Sequence, residues 1–195
     1  QDFDLKVVAI SQQTGGSVGQ MRLFHFSDDA AISTFIPRSV LVPSQRAPGM
    51  EWLNGALVWA IEERVDFMYL FPRDCPRILI SATERTNEAD RTRWLGAYRA
   101  VAYIERDRLR EIATTALHRY HLPNDSFENL QDAGMWVSRI AVKPLRCDML
   151  SDLPAALATR GVDLRVVDSL LPLKGLWQTT LHASGIRLRN ARGWA

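Results

Sequence analysis

His25 is the residue best placed to do chemistry in this chain. It stands within Arg22-Leu23-Phe24-His25-Phe26-Ser27-Asp28-Asp29, an apolar, strand-like run followed at once by residues that favour helix N-caps. The spacing predicts a short helix over 28–35, stopped by Pro37. An imidazole at the end of a strand can bond a ribose hydroxyl, and the free N–H groups of a following helix attract phosphate or carboxylate. Ser27 would belong to the same ligand-facing corner. The plainer reading is a core histidine bonded to a carbonyl.

Four further sets could carry chemistry. Trp59, inside Val58-Trp59-Ala60, and Tyr69 could form a stacking wall for a flat ring, or be two core aromatics on adjacent elements. Arg73-Asp74-Cys75-Pro76-Arg77 reads as an anion-binding turn built by Arg73 and Arg77. The same turn could hold Cys75 as a thiolate, although Asp74 opposes that. His118 and His121 are three apart, whereas zinc ligands on one strand face should be two apart, so no metal is expected. His182 and Ser184 would share one face of a C-terminal strand, with Arg187 and Arg189 on the other. An exposed edge strand explains that last segment as well as a Ser–His pair does.

The elements that must position these residues come from a chain of 195 residues with 47% hydrophobic content, enough for a proper core. The net charge of +2 argues against a nucleic-acid surface. Only Lys6, Lys143 and Lys174 are lysines, so arginine supplies nearly all the positive charge. Two cysteines make no disulfide framework. No window is apolar and long enough for a membrane span, and the first twenty residues lack a basic n-region and long apolar h-region. A cytoplasmic protein without a membrane partner is the default expectation. Residues 1–20 are expected to be a leader or upstream segment, loosely attached, with one α+β domain over 21–195. The P-loop, GxGxxG, GxSxG, HExxH and paired CxxC patterns do not occur, which removes several large enzyme classes.

Strand signals recur at 57–61, 77–80, 102–105, 116–122, 135–142, 162–167 and 179–188. Helical spacing is weaker: 88–98, 107–114, one turn at 127–130, and 151–159 with Pro154 in its first turn and Gly161 after its end. Residues 67–71 fit a strand or a short helix. Strands outnumber helices without alternating with long ones. That predicts an α+β fold with a mixed or mostly antiparallel split sheet and short helices.

The segments MRLFHFSDD (21–29), LVWAI (57–61), YLFPRDCPRI (69–78), AGMWVSRIAVKPL (133–145) and LHASGIRLRNARGW (181–194) together resemble an uncharacterised bacterial protein family, a domain of unknown function. More distantly, the chain resembles the ADP-ribosyltransferase-like fold. That likeness implies a strand-borne His, here His25, holding a ribose of NAD. It implies a Tyr after the second strand, here Tyr69, stacking on nicotinamide. The third strand should begin with Glu or a substitute, where this chain has Met135-Trp136-Val137-Ser138, with Glu128 and Asp132 out of position. The resemblance therefore implies either an NAD-using transferase or a non-catalytic module that binds a nucleotide, another anionic ligand or a protein partner. The expected cofactor-binding set is His25, Ser27, Trp59, Tyr69 and Arg73.

Overall fold

The computed structural model describes residues 21–194; the expectation for 1–20 lies outside the described residues. Two sheets form, both predominantly antiparallel, with short helices beside them: an α+β fold, as the strand-rich pattern predicts. The chain divides into two compact units. One holds the described residues up to Asp66 together with Leu117–Met149; the other holds Phe67–Ala116 and the chain from Leu150 onward.

The first unit is built on β1 (Leu23–Ser27), β2 (Val58–Glu62), β5 (Leu117–Leu122), β6 (Phe127–Asn129), β7 (Met135–Ser138) and β8 (Arg146–Leu150). Their order across the sheet is β6-β7-β2-β1-β5-β8. Leu23, Val58, Ala60, Tyr120 and Leu122 pack on one face with Phe35, Phe127 and Val142. Leu53, Leu57 and Val137 form a second apolar group, joined by Trp52 and Trp59. Gly134 introduces β7 with φ of 71°, and a side chain there would run into Val65.

The second unit carries β3 (Arg77–Ser81), β4 (Ala100–Glu105), β9 (Val162–Val167) and β10 (His182–Ile186), in the order β10-β3-β4-β9. β4 is buried along its whole length, as a strand covered on both faces must be. It pairs antiparallel with β3 and parallel with β9. Three short helices accompany this sheet: α1 (Glu88–Asp90), α2 (Leu109–Thr114) and α3 (Leu153–Thr159). The start of α3 follows its sequence signals, since the Asp152 side chain accepts from the Ala155 N–H and Pro154 sits in the first turn. The segment after β10 is folded, with Leu188, Ala191 and Trp194 buried in this unit's core.

Several expectations are corrected. Residues 28–35 are not helical. Ser27 Oγ accepts the Asp29 N–H, and Asp29 Oδ1 accepts the Ala31 N–H. The Ala31 N–H, which in a helix begun at Ser27 would bond the Ser27 carbonyl, is taken instead by the Asp29 side chain, and the chain turns without winding on. Residues 127–130 form no helical turn; Phe127 is drawn into the core and β6 pairs with β7. The 88–98 helix is reduced to α1 followed by a wide turn over Arg91–Leu95, ended by Gly96 at φ of 57°. β7 stops at Ser138, whose hydroxyl bonds Ser126 and the Ile140 carbonyl as the chain turns away. Among the described residues, no helix is long and apolar enough to cross a membrane.

Candidate functional site

β1 positions His25 because Leu23 and Phe24 anchor the strand in apolar surroundings while its last three residues are half-exposed. Pairing with β5 sets Leu23 opposite Leu122, His25 opposite Tyr120 and Ser27 opposite His118. Cross-strand partners share a face, so His25, Ser27, Tyr120 and His118 line one side of this sheet. His25 Nδ1 lies 2.8 Å from the Trp59 carbonyl oxygen, and its ring tilts against Phe35 with centroids 4.7 Å apart. The carbonyl can only accept, so Nδ1 carries the hydrogen, and in the neutral ring Nε2 is left as the acceptor. Tyr120 completes this corner: its hydroxyl donates to the Asp29 carbonyl at 2.6 Å and accepts the Ile32 N–H at 3.1 Å. The loop that replaces the expected helix is therefore pinned over the end of β1.

Trp59 meets His25 through its main-chain carbonyl. Phe24 pairs with Ile61 and Trp59 with Val137, and alternation along β2 puts the Trp59 indole on the face opposite His25. There it packs beside Leu53 and Leu57, with the Arg46 guanidinium 5.8 Å from its ring centroid. Ser27 spends its hydroxyl on the turn at Asp29. The structure thus brings His25 and Ser27 to one face and leaves the Trp59 ring on the other.

Tyr69 and Arg73 belong to the second unit, just before β3. Tyr69 is half-buried beside the Arg77 guanidinium, 5.8 Å from its ring centroid. Arg73 is exposed, and its carbonyl accepts from Arg187 Nε at 3.4 Å. Asn190 Nδ2 donates to the Asp74 carbonyl at 2.9 Å, so the C-terminal segment is tied to this turn. Arg77 is not an anion ligand. It is buried and donates to the Met68 and Cys75 carbonyls. Burial lowers its pKa to about 10. Cys75 is no ready nucleophile either, because burial pushes its thiol up to about 11 against the pull of Arg77. His182 and Ser184 do meet, Nε2 to Oγ at 2.9 Å, but Ser184 is buried in the sheet.

Sequence reasoning missed one cluster. Asp148 on β8 accepts from His121 Nε2 at 2.6 Å and from Arg119 at 3.0 Å, and Arg119 also lies 3.7 Å from buried Asp66. Phe24 lies against both side chains, its centroid 4.7 Å from the Arg119 guanidinium and 4.7 Å from the His121 ring. The His121 hydrogen bond, helped by Arg119, holds the Asp148 carboxyl below the usual carboxylate range against the effect of burial. Arg119 and His121 are two apart on one strand, a spacing that could have revealed them. Asp148 lies in a strand with no sequence signature. Among the described residues, no group of three or more His, Cys, Asp or Glu could hold a metal ion.

A family model, the family of unknown function DUF6886, matches residues 24–191. The chain belongs to this family. The match begins at Phe24, beside His25, and runs through both units to Ala191. No curated protein and no solved structure matches the chain.

Proposed function

We propose that this DUF6886 protein binds a nucleotide-class anionic ligand of the NAD type at the His25 face of its six-stranded sheet. The observation that carries the reading is the imidazole itself, fixed by the Trp59 carbonyl and Phe35 at the end of β1. A ring held in one tautomer at a strand end suits recognition of a ribose hydroxyl, because its orientation costs no ordering on binding. His25 has a further interaction in the resting protein, so a ligand would exchange with it. The test is calorimetric titration of NAD and ADP-ribose, with thermal melting in parallel. Ligand at 100 times its Kd should stabilise by about 2.7 kcal/mol. A His25→Ala protein that keeps its fold should lose that stabilisation. Undiminished binding by that variant would overturn the reading.

Transfer chemistry is the second reading. One observation supports it: β1, β2 and β7, which bear three of the segments behind the resemblance to ADP-ribosyltransferases, are neighbours in the sheet. β7 opens with Met135 rather than a carboxylate. Glu62, at the end of β2, is engaged by Trp136 Nε1 at 2.9 Å and Arg64 Nε at 2.8 Å. Binding without transfer therefore comes first. Release of nicotinamide from labelled NAD, abolished by His25→Ala, would reverse that order.

A further inference from the structure

β8 is the terminal strand of its sheet among the described residues, and its sequence is complementary to itself when laid antiparallel. Leu145 turns its N–H inward to the His121 carbonyl at 2.8 Å. Within β8, however, the Asp148 carboxylate shares a face with Arg119 and His121, whose main chains turn toward β8, so the main-chain groups of Arg146 and Asp148 turn inward and those of Cys147 and Met149 face outward. The outward edge begins after Pro144, which has no N–H to give. The exposed side chains are apolar on one face and charged on the other. Leu145 is 70% and Met149 67% exposed, and Cys147 is exposed between them. Arg146 and Asp148 occupy the opposite face, 3.7 Å apart.

We infer that β8 pairs antiparallel with β8 of a second copy of this chain, about a two-fold axis at Cys147. That register sets Leu145 against the partner's Met149, Arg146 against the partner's Asp148, and Cys147 against the partner's Cys147. Each pair is apolar with apolar, cation with anion, or thiol with thiol. A shift of one residue to an axis at Asp148 would place the two carboxylates against each other. The outward N–H and C=O groups of Cys147 are those that bond across the axis in this register, making Cys147 a hydrogen-bonded pair. In such a pair the Cα atoms lie about 5.5 Å apart, within the span that a disulfide bridges. The contact is isologous, so it closes at two copies.

The test uses the full chain. Sedimentation over a concentration series should show a monomer–dimer equilibrium. Diamide, which takes two hydrogens from a pair of thiols, should yield a reducible dimer from the native chain and none from Cys147→Ser. That serine variant should still dimerise without a covalent link. Arg146→Asp sets like charges opposite at two positions and should weaken the dimer about tenfold or more. Met149→Lys, fully on the exposed edge, should weaken it independently and serves if the first variant folds poorly. A chain that stays monomeric throughout, or a dimer untouched by both substitutions and not joined through Cys147, overturns the inference.

Discussion

Arg77 and Arg119 each place a guanidinium against an aromatic ring within a sheet, and their hydrogen bonds are accepted by different groups. Arg77 lies 5.0 Å from the Phe71 centroid and gives its hydrogen bonds to main-chain carbonyls. Arg119 lies over Phe24 and meets the carboxylates of Asp148 and Asp66. Carbonyl dipoles do not titrate and carboxylates do. The first arginine is thus a fixed staple, and the second belongs to a cluster whose strength depends on pH. The difference shows that sharing a residue type and an aromatic neighbour does not make two sites alike; what matters is what accepts the protons.

The sharpest way to break this comparison is Arg77→Met. It keeps much of the apolar stem but strips the donors from the Met68 and Cys75 carbonyls. Each buried acceptor left unmet costs about 1–3 kcal/mol, so this variant should show the largest loss of stability. The loss should be the same at pH 4 and pH 8, as read by denaturant melts. A loss that varied strongly over that range would mean that a titrating group, and not the carbonyls, balances Arg77.

Asp148→Asn tests the other side. The folded-state pKa of Asp148 is lowered, so its contribution is complete above the unfolded value of about 3.9 and is lost as pH falls below it. The substitution should cost about 1.5–3 kcal/mol near neutral pH, the range for hydrogen bonds to charged groups. The gap between variant and native chain should close as the pH drops below about 4. A gap that stayed constant into acid would remove Asp148 from the pH-dependent role.

A smaller effect is expected from His25→Asn. An asparagine amide can donate to the Trp59 carbonyl in place of Nδ1, but it offers no imidazole nitrogen to a ligand. Stability should fall by about 1 kcal/mol, the order of one packing or hydrogen-bond change, while NAD-class binding disappears. Loss of folding with loss of binding would make His25 a core residue, the plainer reading of its sequence setting.

The parts legible in sequence were those where local preference and burial agree. β3 and β4 read directly from Ile78-Leu79-Ile80 and Ala102-Tyr103-Ile104, because a strand covered by core needs little beyond its own apolar run. Asp152, Pro154 and Gly161 marked the ends of α3 for the same reason. Where local rules competed, the reading failed. Ser27 and Asp29 can cap a helix or close turns, and Tyr120, far away in sequence, anchors the turns. β8 alternates charged and apolar residues over only a few positions and is mostly exposed, so it forms against the edge that β5 offers and carries little burial signal of its own. Of the candidate site residues, His25 was findable from its neighbours. The face taken by Trp59 depended on pairing register, which composition does not contain.

Arg73 offers the smallest effect and the finest discrimination, since it sits in the turn four residues before Arg77 opens β3. Its main chain holds Arg187 through a carbonyl that any residue would supply. Its side chain is exposed, and surface substitutions away from caps and buried networks usually stay within about 0.5 kcal/mol. Arg73→Ala should therefore melt with the native chain, while Arg77→Met should not. That silence is useful, because any change in ligand affinity caused by Arg73→Ala then reports on binding alone. If Arg73 contacts an anionic ligand, its removal should weaken the titrated affinity and flatten its dependence on salt, as loss of a screened charge pair does. If affinity and salt dependence are both unchanged, Arg73 leaves the binding set and its role ends with the shape of the turn. A marked fall in stability would instead show that the two arginines act together, and the contrast between staple and surface charge would not hold.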